Sequence, residues 1–332
     1  MPSILTHHYF ANQLIQRHKK HWAFLEKKAP LVWLGSQGPD PFFFYGRAPF
    51  KHRLAKTTIN QFGSLLHNQP PHLSLWPLLQ HGWFGPNADE VSKAYVFGAV
   101  THYVLDRTCH PYVFYRTGFD EHGDLSGHYN ADHAKLEVEI DLAVIKQFNL
   151  SIAMYQPQST LQVDPVSLQQ VSQLYFQAFP KHATHEVYQQ AVTDMKATYQ
   201  FLYDGPWWNR LLVILIAGKR SLPFSLIHPH VIAPSRSKLV LNTQHKKWRH
   251  PVTGVNSTES MLTLMEKSEA MMTTFVQALL KHKVNEAFIK SWCEEVDYDG
   301  KQTGTTMRYF QSIYPSFRGK PTQNQSLNKT KN

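Results

Sequence analysis

The residues best equipped for chemistry lie in His102-Tyr-Val-Leu-Asp106-Arg-Thr-Cys-His110-Pro111. On an α-helix a step of four residues advances ~40° around the axis, so His102, Asp106 and His110 form one ladder on a single face. Imidazole and carboxylate groups in that arrangement suit a zinc ion. A second ladder follows at His133-Ala-Lys-Leu-Glu137, with Asp141 one turn further on. Either pair alone is an ordinary solvated helix contact. Together, flanked by Phe97, Tyr103, Val104, Leu136 and Ile140, they face into a helix bundle, where unpaired polar groups are costly and a metal would satisfy them.

Such ladders need helices to carry them, and the periodicity is helical almost throughout. Phe10, Leu14, Ile15, Trp22 and Leu25 recur at helical steps until Pro30 stops the pattern. A Gly/Pro-rich turn, Gly35 to Pro41, precedes the aromatic run Phe42 to Tyr45. Residues 57–68 predict a helix, and another opens with cap-type residues near Asn87 to Glu90 and ends at Pro111. Helices are expected over 130–148, 166–179, 183–204 and 206–219, with the run Leu211 to Ala217 as a buried face. No strand series, internal repeat or Gly-rich phosphate loop is present. The fold class is therefore all-α.

From about Pro223 to Gly254 the chain is irregular and basic, broken by prolines. Asn256 and Glu259 resemble a capping box for a further helix whose apolar face holds Met261, Leu264, Met265, Met272 and Phe275. The expected organisation is a helical core over 1–222, a basic loop and helical extension over 223–318, and a disordered polar tail over 319–332.

Composition narrows the function classes. A chain of 332 residues with 42% hydrophobic and 17% charged residues is a packed globular protein. Thirteen of its twenty histidines fall in residues 1–150, which places the chemistry in the amino-terminal half. Lys plus Arg exceeds Asp plus Glu by 34 − 24 = +10, but five of these cations lie between Ile232 and Val252 and four between Pro315 and Asn332. That distribution excludes an all-over nucleic-acid coat. Segment 232–252, with Trp248, reads either as a solvated loop or as a place where an anionic membrane surface or nucleic acid could be drawn in. Two cysteines make no disulfide framework, and Cys109 reads as a small buried residue. With no secretory signal and no apolar stretch of ~18 residues, a soluble cytoplasmic protein is expected. His128, His228 and His230 read as loop residues outside the main block.

The set Thr6-His7, Gly38-Pro39-Asp40, Leu66-His67, His102-xxx-Asp106-xxx-His110-Pro111 and His133-xxx-Glu137 resembles the bacterial zinc-dependent phospholipase C family, related to the S1/P1 nucleases. The match spans about residues 3–145, with a looser echo at Trp248-Arg-His-Pro251-Val-Thr-Gly254 that is similar to shorter, unsecreted relatives. The resemblance implies a multi-helix bundle of that type holding two or three zinc ions. It implies one site from Asp40, His67 and His102, with Asp106 bridging to a second site completed by His7 and the chain's amino terminus. His110, His133 and Glu137 would form the third. His8 adjoins His7 and could exchange roles with it. Asp40 would also be general base for the attacking water, and Phe42 and Phe43 would contact a lipid headgroup.

Clustered zinc ions polarise phosphoryl oxygens and lower the pKa of bound water, so no nucleophilic side chain is needed. The expected function is a zinc-dependent phosphodiester hydrolase acting on phospholipid. The alternatives are a single-strand nuclease with the same metal residues, or a zinc-binding structural or interaction protein without turnover.

Overall fold

The computed structural model describes residues 4–47, 58–151, 155, 157–202, 207–217 and 232–314. Its helices are α1 (Ile4–His18), α2 (Phe24–Lys27), α3 (Ala29–Gly35), α4 (Pro41–Phe44), α5 (Thr58–Asn68), α6 (Pro71–Gly82), α7 (Glu90–Thr117), α8 (Gly127–Gln147), α9 (Pro157–Thr160), α10 (Pro165–Ala178), α11 (Val187–Leu202), α12 (Trp207–Ala217), α13 (Pro234–Val240), α14 (Met261–Leu280) and α15 (Glu286–Cys293). The one sheet among the described residues is an antiparallel ribbon of β1 (Trp248–Arg249) and β2 (Asn256–Ser257). The chain is all-α.

Helix α7 is the axle of the bundle. It starts at a capping box in which Asp89 accepts from the Ser92 amide (2.9 Å) and the Ser92 hydroxyl meets the Asp89 amide (3.1 Å). From Ala94 to Thr117 it is buried all round apart from Arg107 and Thr108, the condition of a helix with neighbours on every side. Helices α1, α3, α6, α8, α10 and α14 pack against it. One hydrophobic core runs from Ile4 through α7 to Tyr298, so the carboxy-terminal extension shares the core of the amino-terminal helices. The expected boundary at residue 222 and the tail from 319 lie outside the described residues.

Pro111 does not end α7, contrary to the sequence expectation; it lies within the helix. Proline removes the amide that would bond the Arg107 carbonyl and crowds that turn. Here the carboxy-terminal loop docks at the break: a Cβ on Gly300 (φ +73°) would sit 2.4 Å from the Pro111 ring and 2.5 Å from the Arg107 carbonyl oxygen, so only glycine fits. Pro30 likewise starts α3 rather than stopping its predecessor, since a missing amide is harmless in a first turn.

Further corrections fall in the carboxy-terminal half. Residues 234–240 of the expected irregular segment form α13. The cap of α14 is Ser260, which accepts from the Thr263 amide, while Asn256 belongs to the ribbon. Trp248 is buried, stacks edge-on against Tyr112 and donates its indole N–H to the Glu259 carbonyl (3.0 Å), so it offers no ring to a membrane or a base. The run in α12 is exposed at Leu211, Leu212 and Leu215, not buried. No helix of the described residues is long and apolar enough to cross a membrane.

Candidate metal centre

Four helices and one loop deliver the expected ligands to a single place. The turn after α3 brings Asp40, α5 brings His67, α7 brings His102, Asp106 and His110, α8 brings His133 and Glu137, and the first turn of α1 brings His7. Their donor atoms form three groups, each within 4.8 Å: His7, His102 and Asp106; Asp40, His67 and His102; His110, His133 and Glu137. All eight residues singled out as metal ligands by the sequence resemblance lie in these groups, and His102 is common to two of them.

Asp106 sits between histidines from different elements. Its Oδ1 is 3.0 Å from His7 Nε2 and its Oδ2 is 3.1 Å from His102 Nε2. Asp40 Oδ1 lies 3.2 Å from His67 Nε2, and Glu137 Oε1 lies 2.8 Å from His133 Nε2 and 3.9 Å from His110 Nε2. These are contacts of distance without hydrogen-bond direction. His7 Nε2, His67 Nε2, His102 Nε2, His110 Nε2, Asp40 Oδ1 and both Asp106 oxygens are buried and make no hydrogen bond. Buried polar atoms are ordinarily paired; here lone pairs converge on shared points instead of on each other.

The far side of three of the rings is held. His67 Nδ1 donates to the Gly63 carbonyl (2.8 Å), His102 Nδ1 to the Ser36 carbonyl (3.0 Å) and His110 Nδ1 to the Tyr298 carbonyl (2.5 Å). A proton fixed on Nδ1 leaves Nε2 as the lone-pair donor, the usual support of a metal-binding imidazole. Gly38 (φ +50°) makes this possible at His102, because a Cβ there would meet the imidazole Cδ2 at 2.2 Å.

Protonation states agree with ligation at His7, His110, His133 and Asp106. Burial keeps His7 below its ordinary range, pushes His110 down to about 4 and holds His133 well below the usual value. Asp106 is buried, which alone favours the neutral acid, but His102, His110 and His7 outweigh this and hold it well below the carboxylate range. Burial also opposes charge on His67, yet the Asp40 carboxylate and the Gly63 carbonyl raise it. Among the described residues no Lys or Arg pairs with Asp40 or Asp106. Uncompensated carboxylates in such a place are costly, and a cation would neutralise them. The buried His and Asp groups could therefore hold a metal ion.

Tertiary structure also sorts the neighbours. His8 turns away, with Nδ1 2.8 Å from Thr160 Oγ1 and its ring on Trp33, so His7 and not His8 joins the cluster. His128 lies against Tyr129 outside the three groups, and His228 and His230 are outside the described residues. So is the amino terminus expected to add a ligand. Phe42 is fully buried among Phe62, Tyr175 and Tyr188 and cannot touch a headgroup, which corrects its assignment as a substrate contact. Phe43 is half-buried, with its ring 5.1 Å from that of His67.

Two supports are absent from the ligand motifs. Asp141, third rung of the second ladder, accepts hydrogen bonds from the start of α1 rather than facing the donor groups. Tyr298 closes the cluster from the carboxy-terminal loop: beyond its bond from His110, its amide donates to the His67 carbonyl (3.3 Å) and its ring packs on His67 and His102. Cys109 is buried and burial pushes its thiol up, consistent with an inert packing role. No family model, characterised protein or solved structure matches this chain.

Proposed function

We propose that this protein is a zinc-dependent phosphodiester hydrolase of the phospholipase C and P1 nuclease type, with phospholipid as its substrate. The observation that carries the proposal is the convergence of buried, hydrogen-bond-free imidazole nitrogens and carboxylate oxygens, with Asp106 turned to two histidines at once. Zinc is the metal that best suits this mixed nitrogen and oxygen donor set. Residues Asp40, His67, His102 and Asp106 would hold one ion, His7 and Asp106 a second, and His110, His133 and Glu137 a third.

When bound, such ions supply Lewis acidity toward the phosphoryl oxygens and an acidified water. The chain supplies the rest. Asp40, with only its Oδ1 directed at His67, has a second carboxylate oxygen that can receive the proton of an attacking water. The Nδ1 bonds to Gly63, Ser36 and Tyr298 keep the imidazoles from rotating as charge develops. Phe43, half-exposed beside His67, gives a choline-type headgroup a ring face by cation–π attraction. A stacked base could use the same ring, so the nuclease reading keeps the site and changes only the substrate.

The test is elemental analysis of protein purified without chelator or metal-affinity tag, followed by assays on a water-soluble aryl phosphodiester, phosphatidylcholine vesicles and single-stranded DNA. Two or three zinc ions per chain are expected, with hydrolysis of the soluble diester and lipid that Asp40→Asn abolishes. Hydrolysis of DNA alone moves the reading to the nuclease branch. Zinc without turnover on any of the three leaves a structural protein, and absence of zinc refutes the proposal.

A further inference from the structure

Helix α12 is apolar on a face it turns to solvent. Trp208, Leu211, Leu212 and Leu215 follow one another at i, i+3, i+4 and i+7, the spacing of a single stripe. Leu211 is 48%, Leu212 37% and Leu215 82% exposed, and Trp208 is 57% exposed, while Val213 is buried. The helix therefore rests on the fold by one side, next to α11, and carries its leucines on another. Single exposed leucines are common; a continuous stripe marks a contact surface.

Charge identifies the partner. Residues 205–258, which include α12, carry eight Lys or Arg and no Asp or Glu. Within the described part Lys238, Lys246, Lys247 and Arg249 are all exposed. A second copy of this chain would bring the same positive charge and be repelled. An anionic lipid surface accepts the leucines, and the net positive charge of this stretch draws the protein towards it. Eleven helical residues span roughly 16 Å, about half the hydrocarbon thickness of a bilayer, so α12 would lie in the interface and not cross it. In the fold α12 adjoins α11, and α11 packs on α4, the turn that begins directly after Asp40.

We infer that α12 is an interfacial anchor that seats this protein on anionic phospholipid membranes. The inference deepens the proposed lipid substrate and rests on it for what is delivered to the metal centre, but membrane binding itself needs no turnover.

The test is cosedimentation of the full chain with vesicles of phosphatidylcholine alone and of phosphatidylcholine mixed with phosphatidylglycerol. Wild type should bind the mixed vesicles at least tenfold more tightly and lose that preference as salt screens the charges. Leu215→Glu and Leu211→Ser should each weaken binding by about tenfold or more, from the lost burial of one large side chain, with unchanged melting temperature and unchanged hydrolysis of the soluble diester. Equal vesicle binding by wild type and both variants overturns the inference, as does a wild type that binds neither vesicle. So does a concentration-dependent dimer, dispersed by Leu215→Glu, in a protein that ignores vesicles. Binding that depends on Leu215 in a chain that cleaves no phosphodiester upholds the anchor and overturns only the proposed function.

Discussion

Asp141 in α8 grips Thr6 at the start of α1 twice, through the amide (2.9 Å) and the hydroxyl (2.6 Å), and also accepts the Leu5 amide at 2.9 Å. A helix amino terminus presents unsatisfied N–H groups and partial positive charge, and a buried carboxylate answers both. His7 follows Thr6 directly, so this clamp places the only ligand that α1 contributes. Asp141→Asn turns one acceptor into a donor against an N–H. It should cost about 2–3 kcal/mol and lower metal content by up to one ion per chain. Urea denaturation and elemental analysis of the variant check both; unchanged metal content would mean that α1 is positioned by its core contacts alone.

Metal removal should destabilise the fold as well as stop turnover. The carboxylates of Asp40 and Asp106 are buried beside imidazole rings and, among the described residues, pair with no Lys or Arg, so a bound metal ion would neutralise charge that the apoprotein leaves uncompensated. Chelator should lower the melting temperature by roughly 10 °C or more, restored by added zinc, as read by scanning calorimetry. Among single histidine variants His102→Ala should remove the most metal, because two of the three groups share this residue.

Gly38→Ala tests the close approach behind His102. A methyl there would lie 2.2 Å from the ring at a φ of +50°, and a β-carbon is disfavoured at such a φ in any case. The expected cost is about 1–3 kcal/mol with loss of metal from the groups that share His102. A variant with full metal content would show that the ring can shift without losing its donor role.

Acid sensitivity has a contribution away from the metal centre. His18 is buried, and desolvation, aided by His21, Arg17 and Lys20, pushes its pKa down to about 4. The folded chain thus binds this proton less readily than the unfolded chain, whose value is 6.5. The stability that comes from keeping His18 neutral is complete above pH 6.5, and is lost as pH falls from there through about 4. The upper bound is about 3 kcal/mol. His18→Leu should flatten the stability profile between pH 6.5 and 4 relative to wild type, measured by urea denaturation at each pH. A parallel profile would show that other groups carry the acid transition.

Local rules made most of the helices legible, and they failed where tertiary contacts overrode them. Pro111 reads as a stop, but α7 continues because its final turns stay buried and Gly300 packs into the break. Asn256 and Glu259 look like a cap, but pairing of β1 with β2 takes Asn256 and leaves the cap to Ser260. The apolar run in α12 has the composition of a core helix, and composition carries no information on which side has neighbours. Phe42 and Phe43 are identical in type and adjacent in sequence, yet one is core and the other lines the cluster, because successive helical positions point ~100° apart.

What the sequence determined by itself is the ladders: four-residue spacing on α7 and α8 obliges His102, Asp106 and His110, and separately His133 and Glu137, to share a face, since helix geometry is local. What only the tertiary structure decided is which ladder meets which. Contacts between residues far apart in the chain brought His7 rather than His8 to Asp106, set Asp141 on the end of α1 instead of among the donors, and placed the Tyr298 backbone between His67 and His110. Those choices depend on the packing of whole helices and on main-chain groups that every residue possesses, and side-chain spacing cannot encode them.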